Sequence, residues 1–385
     1  MWTDDSIKTF GANIQRLIDG QDLTRQESYE MFTQVLSGLQ PELQQGAFLA
    51  ALTAKGETPS EIAGAWQAIL ELDTTPVAED LGAPLVENSG TGMDRLKTFN
   101  VSSAAAVVAA AGGARLARHG ARALTSSCGT VDLLEAVGVE VDCDVETVAG
   151  SVRTVGIGLF NGMSPKVHPR ALGRILSQIR FGSTLNIAAS LASPCRPTHA
   201  LRGVYAKQVI PKAAEVMKAI GYRRAMVVHG YDHRREQGMD ELSTIGESVV
   251  CEFHPDGRED HFVLAPEDVG IRRADYGEVA ATGDIRKESL RFLRVLAGTG
   301  PAACIDLTCL NAGAILYLVG AAADIRAGVG LSREIIHNGR AIGKLAAWVS
   351  AQADPDGAGI ARFNALAKTA GVDSSAGRDG VGVMA

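Results

Sequence analysis

The texture of the chain changes near residue 85, and that change constrains the fold more than any other feature. Before it, residues 6–72 carry apolar positions at helical spacing, punctuated by tight stops. "IKTFGANIQRLIDG" ends on glycine, and "LTRQESYEMFTQVLSG" sets Thr24 three residues ahead of Glu27, a predicted capping box. "PELQQGAFLAALTAKG" starts on proline and stops at Gly56, while "TPSEIAGAWQAILEL" places Ser60 before another apolar run. From Leu85 onward, short β-branched runs alternate with alanine-rich helical segments. "ARLARHG", "VGIGLF" and "RRAMVVHG" read as strands, and "ESVVCEF" and "REDHFVLA" as strands about the turn "HPDG". "TVDLLEAVGVEV" and "HPRALGRILSQI" read as helices. So do "KESLRFLRVLAG", "ACIDLTCLNAGAILYLVGAAA" and "GLSREIIHNGRAIGKLAAWVSAQ". The predicted fold class is α/β: a small helical N-terminal domain, then a larger domain with a largely parallel sheet under helical cover.

Composition narrows the function classes. A chain of 385 residues buries a core without staples, and its 43 glycines with 5% aromatics suit packed helices and glycine turns. The formal net charge of −7 gives no general attraction to nucleic acid or to an anionic membrane, so neither partner is expected. Six cysteines form no C-x-x-C pair, so neither a zinc framework nor a secretory disulfide pattern is expected, and the thiols are expected to be reduced in a cytoplasm. "MWTDDSIKTF" lacks the apolar core of a signal peptide. Leu307–Ala323 is an uncharged run of 17 residues, interrupted by Thr308, Asn311 and two glycines, and is expected to be a buried core helix. The last stretch, "SSAGRDGVGVMA" in residues 371–385, is expected to be a flexible tail.

Three stretches could carry chemistry. In "NSGTGMDRLKTFNVSS", Gly90 and Gly92 let backbone amides approach a ligand, and Ser102 and Ser103 open an alanine-rich helix. A glycine turn feeding a helix N-terminus is an anion site through free amides and the helix dipole. Asp94 and Lys97 there could serve a metal and a phosphate, or simply pair with each other. In "ARHGARALTSSCGTVDLLEAVG", Arg118, His119, Arg122, Thr125, Ser126, Ser127 and Gly129 make a polar tract between a strand and a helix. Two guanidiniums and hydroxyls suit a polyphosphate, although a solvated loop would look similar. In "GMDELS", Asp240 and Glu241 follow a strong strand and could hold Mg²⁺. His168 precedes Pro169 and could line a pocket or cap the chain locally. No nucleophilic-serine elbow or P-loop lysine motif is present, which fits catalysis by positioning and charge.

Taken in order, these stretches resemble the anthranilate phosphoribosyltransferase family from about residue 6 to 350. Its GTGGD…TFNIST signature stands here as Gly90-Thr91-Gly92-Met93-Asp94 and Thr98-Phe99-Asn100-Val101-Ser102-Ser103. KHGNR stands as Arg118-His119-Gly120-Ala121-Arg122, SSKSG as Thr125 to Gly129, and the metal-associated pair as Asp240-Glu241. The resemblance implies a helical domain over residues 1–75, joined by a segment near 170–195 and hinged to an α/β domain over 76–370. It also implies a homodimer formed through the helical domain. Phosphoribosyl pyrophosphate (PRPP) would be held by Gly90, Thr91, Gly92, Asp94, Thr98, Asn100, Ser102, Ser103, Arg118, Ser126 and Ser127. Mg²⁺ would be served by Ser102, Asp240 and Glu241. Met93, His119, Ala121, His168 and Leu176 would face a small aromatic acceptor, with His119 and Arg122 as positioning residues.

The departures gather on the acceptor side. Ala121 stands where the family has asparagine. The arginine expected to meet the acceptor carboxylate falls on Leu176 counting back from Asn186, or on Gln178 counting forward from His168; Arg174 and Arg180 do not align. GPLTNP reads Ala189-Ser190-Leu191-Ala192-Ser193-Pro194. Losing a charged partner for a carboxylate costs about 1.5–3 kcal/mol. The expected activity is thus phosphoribosyl transfer to an aromatic or heteroaromatic acceptor other than anthranilate. A genuine anthranilate enzyme is the first alternative, with a nucleoside phosphorylase or a non-catalytic binding protein behind it. Met93 replaces a glycine where donor and acceptor meet. Met93→Gly is expected to change the acceptor KM more than the PRPP KM in steady-state kinetics; equal changes in both would count against that placement.

Overall fold

The computed structural model describes residues 2–122 and 129–373. Four helices come first: α1 (Asp4–Ile18), α2 (Arg25–Leu36), α3 (Glu42–Lys55) and α4 (Pro59–Leu72). Alternating elements follow: β1 (Leu85–Ser89), α5 (Val101–Ala111), β2 (Arg115–Gly120), α6 (Thr130–Ala136), α7 (Val145–Val155) and β3 (Ile157–Asn161). Next are α8 (Leu172–Ile179), α9 (Thr184–Leu191), β4 (His199–Gly203), α10 (Ile210–Ala219), β5 (Arg224–Tyr231) and β6 (Gly238–Met239). A hairpin, β7 (Ser248–Phe253) and β8 (Glu259–Leu264), precedes α11 (Tyr276–Val279) and α12 (Ile285–Leu296). The chain closes with α13 (Ala302–Leu318), α14 (Ile325–His337), α15 (Arg340–Ala351) and α16 (Ala358–Ala370).

The sheet runs β3-β2-β1-β4-β5-β7-β8, with β6 paired to β5. β3, β2, β1, β4 and β5 are mutually parallel, while β6, β7 and β8 join antiparallel. This is the expected α/β architecture with a helical N-terminal part. One apolar core packs α5, α12, α13, α14 and α15 on one face of the sheet. Another gathers α1 to α4 with α8, α9, α10 and inward residues of β4, β5 and β7. The uncharged run falls on α13, whose residues are nearly all buried, and no helix among the described residues is long and apolar enough to cross a membrane.

Local differences from the sequence reading have simple causes. Thr24 does form a capping box with Glu27, but α4 is capped by Thr58 with Glu61, and Pro59 takes the first helical position instead of Ser60. The long C-terminal helix is two: Asn338 ends α14 and Gly339, at φ 71°, turns the chain into α15. Helix α6 stops at Ala136, and α7, α10, α16 and β4 lie in stretches whose periodicity went unread. Most of the expected tail, residues 374–385, lies outside the described residues.

One buried carboxylate ties the helical part to the rest. Asp73, the residue after α4, accepts from the amides of Arg170, Ala171 and Leu172 at 2.6, 2.9 and 2.6 Å. These are amides at the start of α8, where no intrahelical acceptor exists. Bonds to a charged group contribute about 1.5–3 kcal/mol each when made, and their loss leaves buried donors unpaired. Asp73→Ala is therefore expected to lower unfolding stability by about 3 kcal/mol or more, read as a drop in the urea midpoint; a change under about 1 kcal/mol would contradict this role.

Candidate active site

The site assembles at the carboxyl ends of β1, β4 and β5, where a parallel sheet leaves a crevice. β1 delivers the chain into Gly90-Thr91-Gly92. Gly92 adopts φ 72°, a left-handed conformation that glycine reaches without strain. The segment after β6 lies directly on the strand ends. A Cβ on Gly203 would stand 1.5 Å from the Asp240 carbonyl oxygen, and one on Gly90 would stand 2.3 Å from the Asp240 carboxyl carbon. Only bare backbone at these positions admits the Asp240-Glu241 pair.

With that seat fixed, the carboxylates close on the glycine loop. Asp240 accepts from the Gly92 amide at 2.6 Å and from the Thr91 hydroxyl at 3.2 Å. Glu241 meets the Thr98 hydroxyl. Lys97 bridges the Asp94 carboxylate at 2.6 Å and the Gly92 carbonyl at 2.9 Å. Burial, then the charge of Asp240, pushes Asp94 up to about 6, against the pull of Lys97. Burial and the neighbouring Asp240 and Asp94 also hold Glu241 well above the usual carboxylate range. Three carboxyl groups thus crowd one loop with a single lysine among them. The oxygens are spread around the loop, which suits a hard cation bound through one or two carboxylates and completed by a ligand's oxygens.

Arg118 is committed inside the protein. Its Nε donates to Asn88 Oδ1 at 3.1 Å, Nη1 to Ser103 Oγ at 2.7 Å, and Nη2 to Ser102 Oγ at 3.2 Å. Asn88 Nδ2 donates to the Ser102 carbonyl at 2.7 Å. Burial lowers the guanidinium to about 10. In this arrangement Arg118 orients the two hydroxyls at the start of α5. Asn100 is the residue that caps α5, so it stands at the same helix end. Arg122 is half-exposed and pairs with Asp132 at 3.2 Å and Glu135 at 2.7 Å. Ser126 and Ser127 lie outside the described residues.

His119 and His168 come together as a buried pair, with Nε2 to Nε2 at 3.3 Å. His168 Nδ1 lies 2.7 Å from the Asp73 carbonyl, which can only accept, so that nitrogen carries the proton. His168 Nε2 is then an acceptor, and His119 Nε2 must donate to it. Nδ1 of His119 is buried with no hydrogen bond of good geometry among the described residues, while the Ser190 backbone also interacts with the ring. Burial first, and His168 second, lower His119 to about 3, so it is neutral throughout the physiological range. Of the other acceptor-side expectations, Met93 is 56% exposed on the glycine loop and Ala121 is exposed. Leu176 packs partly against the helical core. Arg174 pairs with Glu42 at 3.4 Å, and Arg180 donates to the Ser177 carbonyl at 3.2 Å.

The sequence reading missed Arg202 and Glu87. Arg202 ends β4 beside Ser89 of β1 and is 5% exposed. Its Nη1 donates to Ser89 Oγ at 2.6 Å and its Nη2 to Ser190 Oγ at 2.8 Å, so it spans from the glycine loop to the end of α9. Glu87, buried in β1, stands 3.9 Å away with both carboxylate oxygens lacking hydrogen-bond partners among the described residues. Burial raises Glu87, with Arg202 and Arg118 pulling the other way. A charged pair inside two apolar strands was the available signal, since buried charges are rare without a reason.

The Asp94 geometry has a signed pH consequence. A carboxyl raised in the folded state favours folding while protonated, so its contribution is full below its ordinary value of 3.8 and lost as pH rises through about 6. Without divalent cation, Asp94→Asn is expected to raise unfolding stability at pH 7.5 by on the order of 1–3 kcal/mol and to change it little at pH 4. Urea titrations at the two pH values check this; equal effects would contradict it.

Comparison with known proteins agrees with this architecture. Residues 82–342 match the glycosyl transferase family α/β domain, and residues 13–72 match the helical bundle domain of that family. The anthranilate phosphoribosyltransferase of Anaeromyxobacter dehalogenans (strain 2CP-C) is 37% identical over 347 residues, covering 89% of this chain and 98% of that protein. The crystal structure of anthranilate phosphoribosyltransferase from Thermus thermophilus has a TM-score of 0.78 at 31% identity, over 88% of this chain and 98% of that one. The Saccharomyces cerevisiae enzyme in complex with PRPP and Mg shares the fold, with a TM-score of 0.73 at 24% identity over 89% of this chain and 98% of that one. With its glycine loop, its Asp-Glu pair and both domains accounted for, the chain belongs to the anthranilate phosphoribosyltransferase family.

Proposed function

We propose that the chain transfers the 5-phosphoribosyl group of PRPP to anthranilate, with Mg²⁺ as cofactor and release of pyrophosphate. The observation that carries this reading is the 37% identity to an anthranilate phosphoribosyltransferase across nearly the whole of both chains. It displaces the expectation of a different aromatic acceptor, which rested on the lost arginine of the segment after His168. On this reading Arg202, a buried guanidinium bonded to Ser89 and Ser190, is the cation that takes over the carboxylate from the lost arginine.

In this reading the amides of the Gly90–Gly92 loop and the start of α5 receive the diphosphate and 5-phosphate groups. The hydroxyls of Thr91, Thr98, Ser102 and Ser103, with Asn100, complete that set. Asp240 and Glu241 hold Mg²⁺, with Asp94 and Ser102 beside them; the chemistry the ion supplies when bound is neutralisation of the diphosphate. The amine nitrogen of anthranilate forms its bond to the ribose anomeric carbon as the bond to pyrophosphate breaks, and the nitrogen then sheds a proton. Nδ1 of His119 is a neutral acceptor suited to orient the amine N–H, and His168 fixes its tautomer. The helical domain of residues 1–75 with the 170–195 segment, hinged to residues 76–370, forms the homodimer in a cytoplasmic setting.

Mg²⁺-dependent, saturable loss of anthranilate fluorescence with PRPP tests the function; phosphate-dependent nucleoside cleavage without PRPP would replace it with a phosphorylase. Arg202→Lys keeps the charge and loses the fork, and is expected to raise the anthranilate KM about tenfold or more while leaving the PRPP KM near its original value. Equal losses for both substrates would remove Arg202 from acceptor binding.

A further inference from the structure

A second cluster of metal-ligating side chains lies at the far edge of the sheet, four strands from β1. Cys251 of β7 and His261 of β8 face each other directly across the antiparallel pair. Glu259 lies two residues before His261, so the period-two alternation of a strand puts all three on one face. One ligand atom from each, the Cys251 sulfur, an imidazole nitrogen and a carboxylate oxygen, lies within 4.8 Å of the others. His261 Nε2 is 3.4 Å from Glu259 Oε2. The other oxygen, Oε1, pairs with Lys218 near the end of α10, which orients the carboxylate and leaves Oε2 available. This is the arrangement of an outer partner supporting an inner ligand.

We propose that Cys251, Glu259 and His261 form a Zn²⁺ site, with water in the fourth tetrahedral position. A thiolate and an imidazole select zinc over the magnesium that suits an all-oxygen site. Ligand atoms around tetrahedral zinc stand roughly 3.3–3.8 Å apart, so the three must draw in by about 1 Å. His261, whose side chain is 62% exposed, has the freedom to make that movement. Cys251 is a buried, free cysteine, so it is the fixed corner of the site and the exposed pair closes onto it. The ion joins β8, an edge strand with no further neighbour among the described residues, to β7 by bonds that do not depend on the ladder. The site is separate from the Asp240-Glu241 crevice and independent of which acceptor the enzyme uses.

The test is titration of the chelator-treated full chain with Co²⁺ and Zn²⁺. Co²⁺ is expected to bind one equivalent with a thiolate-to-metal charge-transfer absorption, which Zn²⁺ displaces. An oxygen-only site at Asp240-Glu241 cannot give that band. Cys251→Ser should abolish it. His261→Ala, an exposed change that spares the core, should weaken Zn²⁺ binding at least about tenfold. Both variants should keep Mg²⁺-dependent PRPP turnover. A missing band in the wild-type chain, a band that survives Cys251→Ser, or unchanged affinity in His261→Ala would each overturn the proposal. If Cys251→Ser fails to fold, the His261→Ala affinity together with Glu259→Gln decides the question.

Discussion

The contact on which the site depends is the seating of Asp240 on two glycines, its peptide against Gly203 and its carboxyl group against Gly90. At that separation a single methyl would displace the whole segment from the sheet. The requirement joins stretches far apart in sequence, yet each participant is local. A strand end brings Gly203, a turn brings Gly90, and β6 delivers Asp240. Once the seat exists, the rest follows from short hydrogen bonds. Asp240 takes the Gly92 amide, Glu241 takes the Thr98 hydroxyl, and Lys97 holds Asp94 against the loop. Rigid elements thereby place groups that a free loop would leave scattered.

Charge is arranged around that seat in two separated layers. Above the strand ends, acidic groups crowd one another and hold their protons too tightly. Beneath, Arg118 and Arg202 lie buried, and each is spent on serine hydroxyls rather than on a close carboxylate. Glu87 feels both guanidiniums without a direct hydrogen bond to either. Desolvated charges that are not cancelled locally exert their field at longer range, since little water intervenes to screen them. The site is thus prepared for a ligand that brings cations to one layer and anions to the other.

Much of this was legible in the sequence, and the failures have specific physics. Helix starts were readable where a hydroxyl and a glutamate stand three apart, as at Thr24. The misplacement at Ser60 came from overlooking that proline prefers the first helical position, which makes Thr58 the cap. The break at Gly339 was hidden because both flanking helices share one apolar period. The glycine loop was legible because amides and glycines act through contiguous sequence. The cluster of Arg202, Ser190 and Ser89 was not, because Arg202 and Ser89 meet only where β1 and β4 are neighbours. Arg118 and Arg122 illustrate the same limit, being four residues apart with one buried and one facing solvent.

Asp73 holds two structures at once. Its carboxylate carries the start of α8, and its carbonyl sets the tautomer of His168 and, through it, that of His119. A proton position on the buried histidine pair is therefore set by the peptide that leaves the fourth helix. The packing of the N-terminal bundle and the tautomers of two imidazoles are, through this one residue, a single mechanical variable.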